Sequence, residues 1–162
     1  LNSVLAMANF AQRAKEAGVD GLIMVNLPQE EAAGLRQTLS AEGIDLVSLI
    51  APTTPDQRAK EIVATSSGFL YYVSLKGTTG SSAIAIEEVI ERTSFLQTLT
   101  RVPICVGFGI KDAESAAAAS THADGVVVGS ALVQLMSESP TPTTAAERLE
   151  TATAEIRNGL DG

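Results

Sequence analysis

Apolar residues follow two alternating rhythms along the chain. Five short runs, 19–25, 44–50, 68–74, 103–106 and 125–128, are nearly continuous, as in parallel strands buried on both faces. Between them apolar residues recur every three or four positions, the helical spacing. The first helical stretch carries Val4, Leu5, Ala8, Ala11 and Ala14, with Asn2 or Ser3 as its cap and Gly18 as its end. In the second, Pro28 takes the first helical position ahead of Glu30 and Glu31. Ala32, Ala33, Leu35 and Leu39 follow, up to Gly43. Thr54 caps a third that begins at Pro55 and buries Ile62 and Val63. Residues 86–99 form a fourth with Val89, Ile90 and Leu96 as core, and Asp112 caps an alanine-rich fifth ending near Thr121. A short sixth covers 131–136. The last helix places Ala145, Leu149, Ala152, Ile156 and Leu160 on one face.

The order is one helix followed by five strand–helix units. Strands alternating with helices imply a parallel α/β sheet with right-handed crossovers. A complete (β/α)8 or TIM barrel takes about 250 residues. The 162 residues here supply five of its units. The expectation is a single domain over 1–162: a partial (β/α)8 TIM barrel, its five parallel units preceded by a helix. A complete five-stranded open sheet is the alternative.

Composition narrows the function. Hydrophobic residues make up 45% and aromatics only 4%, so alanine and small aliphatics fill the interior. The net charge of −8 argues against nucleic acid and anionic membrane surfaces as partners, since both need a basic face. It leaves a small phosphorylated ligand open, because a few local donors hold one. No apolar run reaches the length of a membrane span. The lone cysteine, Cys105, sits within an apolar run. It is expected to pack as a small hydrophobe, in a reducing cytoplasm. The start at Leu1, without methionine or a basic signal region, reads as cut from something longer. His122, at the end of the fifth helix, reads as a complement to the helix dipole.

The chemistry concentrates where two apolar runs end in glycine: Val106-Gly107-Phe108-Gly109-Ile110 and Val127-Val128-Gly129-Ser130-Ala131. A glycine there lets backbone N–H groups approach a ligand, and the helix beyond adds unpaired donors at its positive end. Two such turns on neighbouring strands make an anion site, most often for phosphate. A dinucleotide fold would want a third glycine where Asp112 stands, and would carry its glycines on the first strand. The loop 75–82, rich in glycine and hydroxyls, suits a lid over the site or a plain connector.

With these motifs the chain resembles the tryptophan synthase alpha chain family. The matching segments are 18–21 through Leu27-Pro28, Leu49-Ile50-Ala51-Pro52-Thr53-Thr54-Pro55, Tyr71-Tyr72-Val73-Ser74 through Gly77-Thr78-Thr79-Gly80, and the two glycine turns. The resemblance implies a (β/α)8 barrel from its third helix to its end. It also implies a lyase of L-tryptophan biosynthesis that cleaves indole-3-glycerol phosphate to indole and glyceraldehyde 3-phosphate. The implied partner is a beta chain carrying pyridoxal phosphate, joined in a cytoplasmic heterotetramer; no cofactor or metal is implied for the alpha chain. By the same resemblance Gly80, Gly109, Gly129 and Ser130 bind the substrate phosphate, and Phe108 lines the substrate pocket. Tyr71 and Thr79 support the catalytic groups, and Asn2 and Pro28 contact the beta chain. The family's catalytic glutamate and aspartate would lie before Leu1, so this chain alone is expected to be inactive. Asn26, Leu75 and Ser81-Ser82 depart from the family pattern, which has an aspartate, an arginine and an alanine–glutamate there. A non-catalytic module that binds phosphate or a partner is the rival. Another phosphate-binding barrel is a third reading, opposed by 52–55 and the loop.

Overall fold

The computed structural model describes residues 9–73, 82–107 and 109–161, the first five of helix 82–99 by backbone alone. Five strands form one sheet: β1 (Gly21–Ile23), β2 (Asp45–Ile50), β3 (Leu70–Val73), β4 (Ile104–Gly107) and β5 (Gly125–Val126). Their order in space is their order in sequence, and every pairing is parallel. An open doubly wound sheet reverses its strand order at a switch point. Here none occurs, so every crossover returns on the same side, as in a barrel wall.

Among the described residues there are seven α-helices, α1 (Phe10–Glu16), α2 (Ala32–Ala41), α3 (Asp56–Val63), α4 (Ser82–Leu99), α5 (Ala113–Ser120), α6 (Ser130–Ser137) and α7 (Pro142–Asp161), of which α2 to α5 connect successive strands. The core lies between sheet and helices. Ile50, Leu70, Tyr72, Ile104 and Val106 join Ala59, Ile62 and Val63 of α3 and Val89 and Leu96 of α4 in one buried cluster. A second cluster joins Ala11, Ala32, Leu39, Ile44 and Leu46. Alternate strand residues point to opposite faces. Tyr71, Val73, Cys105 and Gly107 therefore face away from the helices, and all four are only half-buried.

The expected helical faces hold except at Ala33 of α2, which is exposed while Ala32 and Leu39 are buried. Val89 and Leu96 are buried, and Ala145, Leu149, Ala152, Ile156 and Leu160 all face inward, with Ile156 the most covered. Val4, Leu5 and Ala8 lie outside the described residues. Gly43 turns the chain out of α2 just past its end, at a φ of +68° that suits glycine, while Ile44 N–H bonds back to Leu39 O at 2.9 Å.

Several local expectations are corrected. Pro28 is extended (φ −61°, ψ 144°) and precedes a 3-10 turn, Gln29–Glu31, so the α-helix starts only at Ala32. Thr54 does not cap α3: its hydroxyl accepts from Ala51 N–H at 3.0 Å and closes the turn before the helix. Pro55, extended, takes the flanking position. Cys105 is not sealed in the core but lies half-buried on the sheet's other face. Burial and then the Asp124 charge push its thiol pKa up. The strands run shorter than the apolar stretches, because pairing and not hydrophobicity ends them. Val25, for instance, is 76% exposed beyond the end of β1.

Candidate phosphate-binding turns beside Tyr71

Both glycine turns leave the carboxyl ends of adjacent strands. Strands β4 and β5 pair through Cys105↔Gly125 and Val106↔Val126, and Val127 N–H reaches Val106 O at 2.9 Å. The first turn passes through Gly109, at φ +50°, a backbone conformation that glycine adopts without strain. Ile110 then plunges into a cluster with Ala116 and Ile156 and anchors the turn from below. Asp112 caps α5: its carboxylate accepts from Ser115 N–H at 2.9 Å, while Asp112 N–H donates to the Ser115 hydroxyl at 3.2 Å. The Ser115 hydrogen bonds hold the Asp112 carboxyl below its usual range.

The second turn ends at Gly129, which flanks α6, and Ser130 is the first helical residue. The first N–H groups of any α-helix lack intrahelical acceptors. Gly129, as the flanking residue, has no side chain with which to cap α6. Gly109, Gly129 and Ser130 are all exposed. These three expected phosphate residues are thus brought onto two neighbouring turns at one end of the sheet. The expected helix at 131–136 begins one residue earlier, which puts Ser130 itself in the first turn.

Tyr71 comes to the same place by a route that sequence reasoning missed. It pairs with Cys105, and Val73 pairs with Gly107. A Cβ built on Gly107 would stand 2.5 Å from the Tyr71 hydroxyl and 2.7 Å from Cε2. The phenol therefore lies along the strand direction and over the bare backbone of Gly107. One layer of this face reads Leu49, Tyr71, Cys105, Gly125 from β2 to β5, a descending series of side chains. A Cβ on Gly125 would approach the Cys105 sulfur to 3.1 Å, so that layer is already close-packed at its small end. Gly107 was legible as a turn glycine, but its contact with Tyr71 depends on strand register, which no local pattern encodes.

The remaining expected residues are placed as follows. Pro28 lies at the carboxyl end of β1, far in the sheet order from the two turns. Asn2, Thr79, Gly80 and Phe108 lie outside the described residues. Among the described residues, no three His, Cys, Asp or Glu side chains gather in a way that could hold a metal ion. Nor is any described helix long and apolar enough to cross a membrane.

Parallel βα units in consecutive order, with two glycine turns at the carboxyl ends of neighbouring strands, define part of the wall of a (β/α)8 barrel. The family model for tryptophan synthase alpha chain matches residues 1–161. The chain is 50% identical to the tryptophan synthase alpha chain of Chromobacterium violaceum, over 99% of this chain and 62% of that protein. It is 43% identical to that of Xylella fastidiosa, over 98% of this chain and 59% of the relative. The solved A-subunit of tryptophan synthase from Pyrococcus furiosus superposes with a TM-score of 0.79 at 36% identity, covering 93% of this chain and 60% of that one. The Campylobacter jejuni alpha subunit gives 0.80 at 28% identity, over 89% and 58%. The chain belongs to the tryptophan synthase alpha chain family and spans about three-fifths of the length of these relatives.

Proposed function

We propose that the full-length protein containing this chain cleaves indole-3-glycerol phosphate to indole and glyceraldehyde 3-phosphate, and that this stretch supplies the phosphate half of the site. The observation that carries the reading is the pair of glycine turns on β4 and β5 with the Tyr71 phenol laid over Gly107. In the reaction, a base takes the proton of the hydroxyl on the carbon bonded to the ring. The carbon–carbon bond breaks as the aldehyde forms, and an acid delivers a proton to the ring carbon. No water or redox partner is consumed. The two catalytic carboxylates belong to the part of the family chain before Leu1. Gly80, Gly109, Gly129 and Ser130 hold the phosphate, Phe108 packs against substrate, and Tyr71 and Thr79 support the catalytic groups. Asn2 and Pro28 meet a beta chain that carries pyridoxal phosphate and receives the indole, and the site is cytoplasmic.

The test is indole release by the full-length protein, measured with and without its beta chain, alongside the 162-residue chain and a Ser130→Asp variant of the full-length protein. The full-length protein is expected to turn over and the short chain is not. The variant places a carboxylate at the phosphate turn and is expected to raise KM at least about tenfold, through loss of one charge-assisted interaction and repulsion. Absence of turnover by the full-length protein with its beta chain would make this a non-catalytic binding module.

A further inference from the structure

Behind the wall that carries Tyr71, one arginine ties together three pieces of the fold. Arg92 belongs to α4, and its side chain is only 16% exposed. Its Nη2 donates to the carbonyl of Thr54 at 2.6 Å, and its Nη1 pairs with the carboxylate of Asp56, the first residue of α3. The guanidinium carbon also lies over the Phe95 ring, 4.9 Å from its centroid. Its Nε is shut off from solvent and finds no acceptor among the described residues. The Arg92 charge works against the burial that raises the Tyr72 phenol, so the guanidinium is also felt at the end of β3.

The grip falls on a turn that is closed upon itself. Thr54 N–H donates to Ala51 O at 2.9 Å, and Ala51 N–H donates to the Thr54 hydroxyl at 3.0 Å. Holding Thr54 therefore holds Ala51, the residue that follows β2. The ends of β2 and β3 are paired, Leu49 beside Tyr71 and Ile50 beside Tyr72. Stability alone does not ask for an arginine here. A largely buried guanidinium gives up hydration, and an unpaired Nε adds to that loss. An apolar side chain of similar length against Phe95 would serve the packing of α4 as well or better. What it cannot do is hold a carbonyl and a carboxylate at once with one planar fork.

We infer, resting on the function proposed above, that Arg92 is a positioning residue for the cleavage: it fixes the turn 51–54, and through it the strand ends that aim the Tyr71 phenol. It acts from the helix side of the sheet, through Thr54 O and Asp56, while Tyr71 faces the other side.

The experiment compares the full-length protein as wild type, Arg92→Met, Tyr71→Phe and the double variant, by indole release in the presence of its beta chain and by thermal unfolding. Arg92→Met is expected to lower kcat about tenfold while KM stays within about twofold, because the phosphate turns lie on other strands. Its Tm is expected to stay within about 3 °C of wild type. Two changes that act on one group are not additive, so in the Tyr71→Phe background Arg92→Met should lower kcat by less than about twofold. Asp56→Asn removes one prong at an exposed position and is expected to lower kcat about threefold at unchanged KM. Unchanged kcat in a folded Arg92→Met protein or in Asp56→Asn overturns the inference. So does an equal loss in both Tyr71 backgrounds, or a loss matched by a fall in the folded fraction. If Arg92→Met does not fold, Asp56→Asn, alone and combined with Tyr71→Phe, decides the matter. No indole release by the wild type would overturn the proposed function and this inference with it. Wild-type turnover with unaffected variants overturns this inference alone.

Discussion

Tyr71 and Tyr72 are neighbours in sequence and have opposite fates. Tyr72 faces the helices at 1% exposure, among Leu70, Ile104, Val106 and Leu96. Burial pushes its phenol pKa up. Tyr71 faces the other way, half-buried, with its hydroxyl over Gly107 at the mouth of a glycine turn. One face of the sheet is closed by α3 and α4, and the other is an open wall of graded side chains. The difference teaches that a two-residue period divides labour on a single strand. One residue holds the sheet to its helices, and the next lays its phenol over the glycine turn at the sheet's end.

The comparison breaks most readily at Tyr72. Its replacement by alanine is expected to cost about 3–5 kcal/mol in urea unfolding of the full-length protein, the range for emptying a buried aromatic site. Tyr71→Ala, emptying a half-open site, is expected to cost less than about half of that, while lowering turnover. Equal losses of stability would mean that the two faces are not distinct.

Gly107→Ala sharpens the same contrast from the other side. The added methyl occupies the place of the phenol oxygen and must turn Tyr71 aside. A displacement of that size at a positioned group lowers kcat/KM for indole release about a hundredfold. The stability loss should be far smaller, since Tyr71 is half-buried and lies outside the buried core cluster. A variant that keeps wild-type turnover would sever Tyr71 from the reaction.

This is also where legibility ended. The strand–helix alternation, the glycine turns and the inward faces of α3, α4 and α7 were all readable, because each is a local period or a local terminator. The Ile110 anchor and the phenol over Gly107 were not, because both depend on which residues of separate strands and helices come side by side. Thr54 shows a subtler failure. Its hydroxyl could serve a cap or a turn, and only the backbone path chose Ala51 N–H.

The smallest expected effect concerns the far end of the sheet. Arg58, the Glu30 backbone and the Arg58 charge hold the Glu30 pKa near about 2, against an ordinary value of 4.5. A carboxylate depressed in the folded state adds stability that is complete above the ordinary value and fades as pH falls through the folded one. The exposed pair is therefore expected to give a slight loss of stability between pH 4.5 and about 2, absent in Glu30→Gln, seen as a shallower acid slope in thermal unfolding. An unchanged slope would show the pair to be without thermodynamic weight.

The last helix gives the molecule a chronology. At Gly159 an added Cβ would run into the Ala113 backbone, 2.8 Å from its Cα, so α7 lies directly on the start of α5. Ile156 closes the same cluster over Ile110, one residue past Gly109. A ribosome delivers the first glycine turn some forty-seven residues (156 − 109) before it delivers the side chain that braces it. The sheet can therefore be assembled while the end that carries its glycine turns is still unset, and a protease that trims the final turns of α7 is expected to loosen that end while leaving the wall of strands standing.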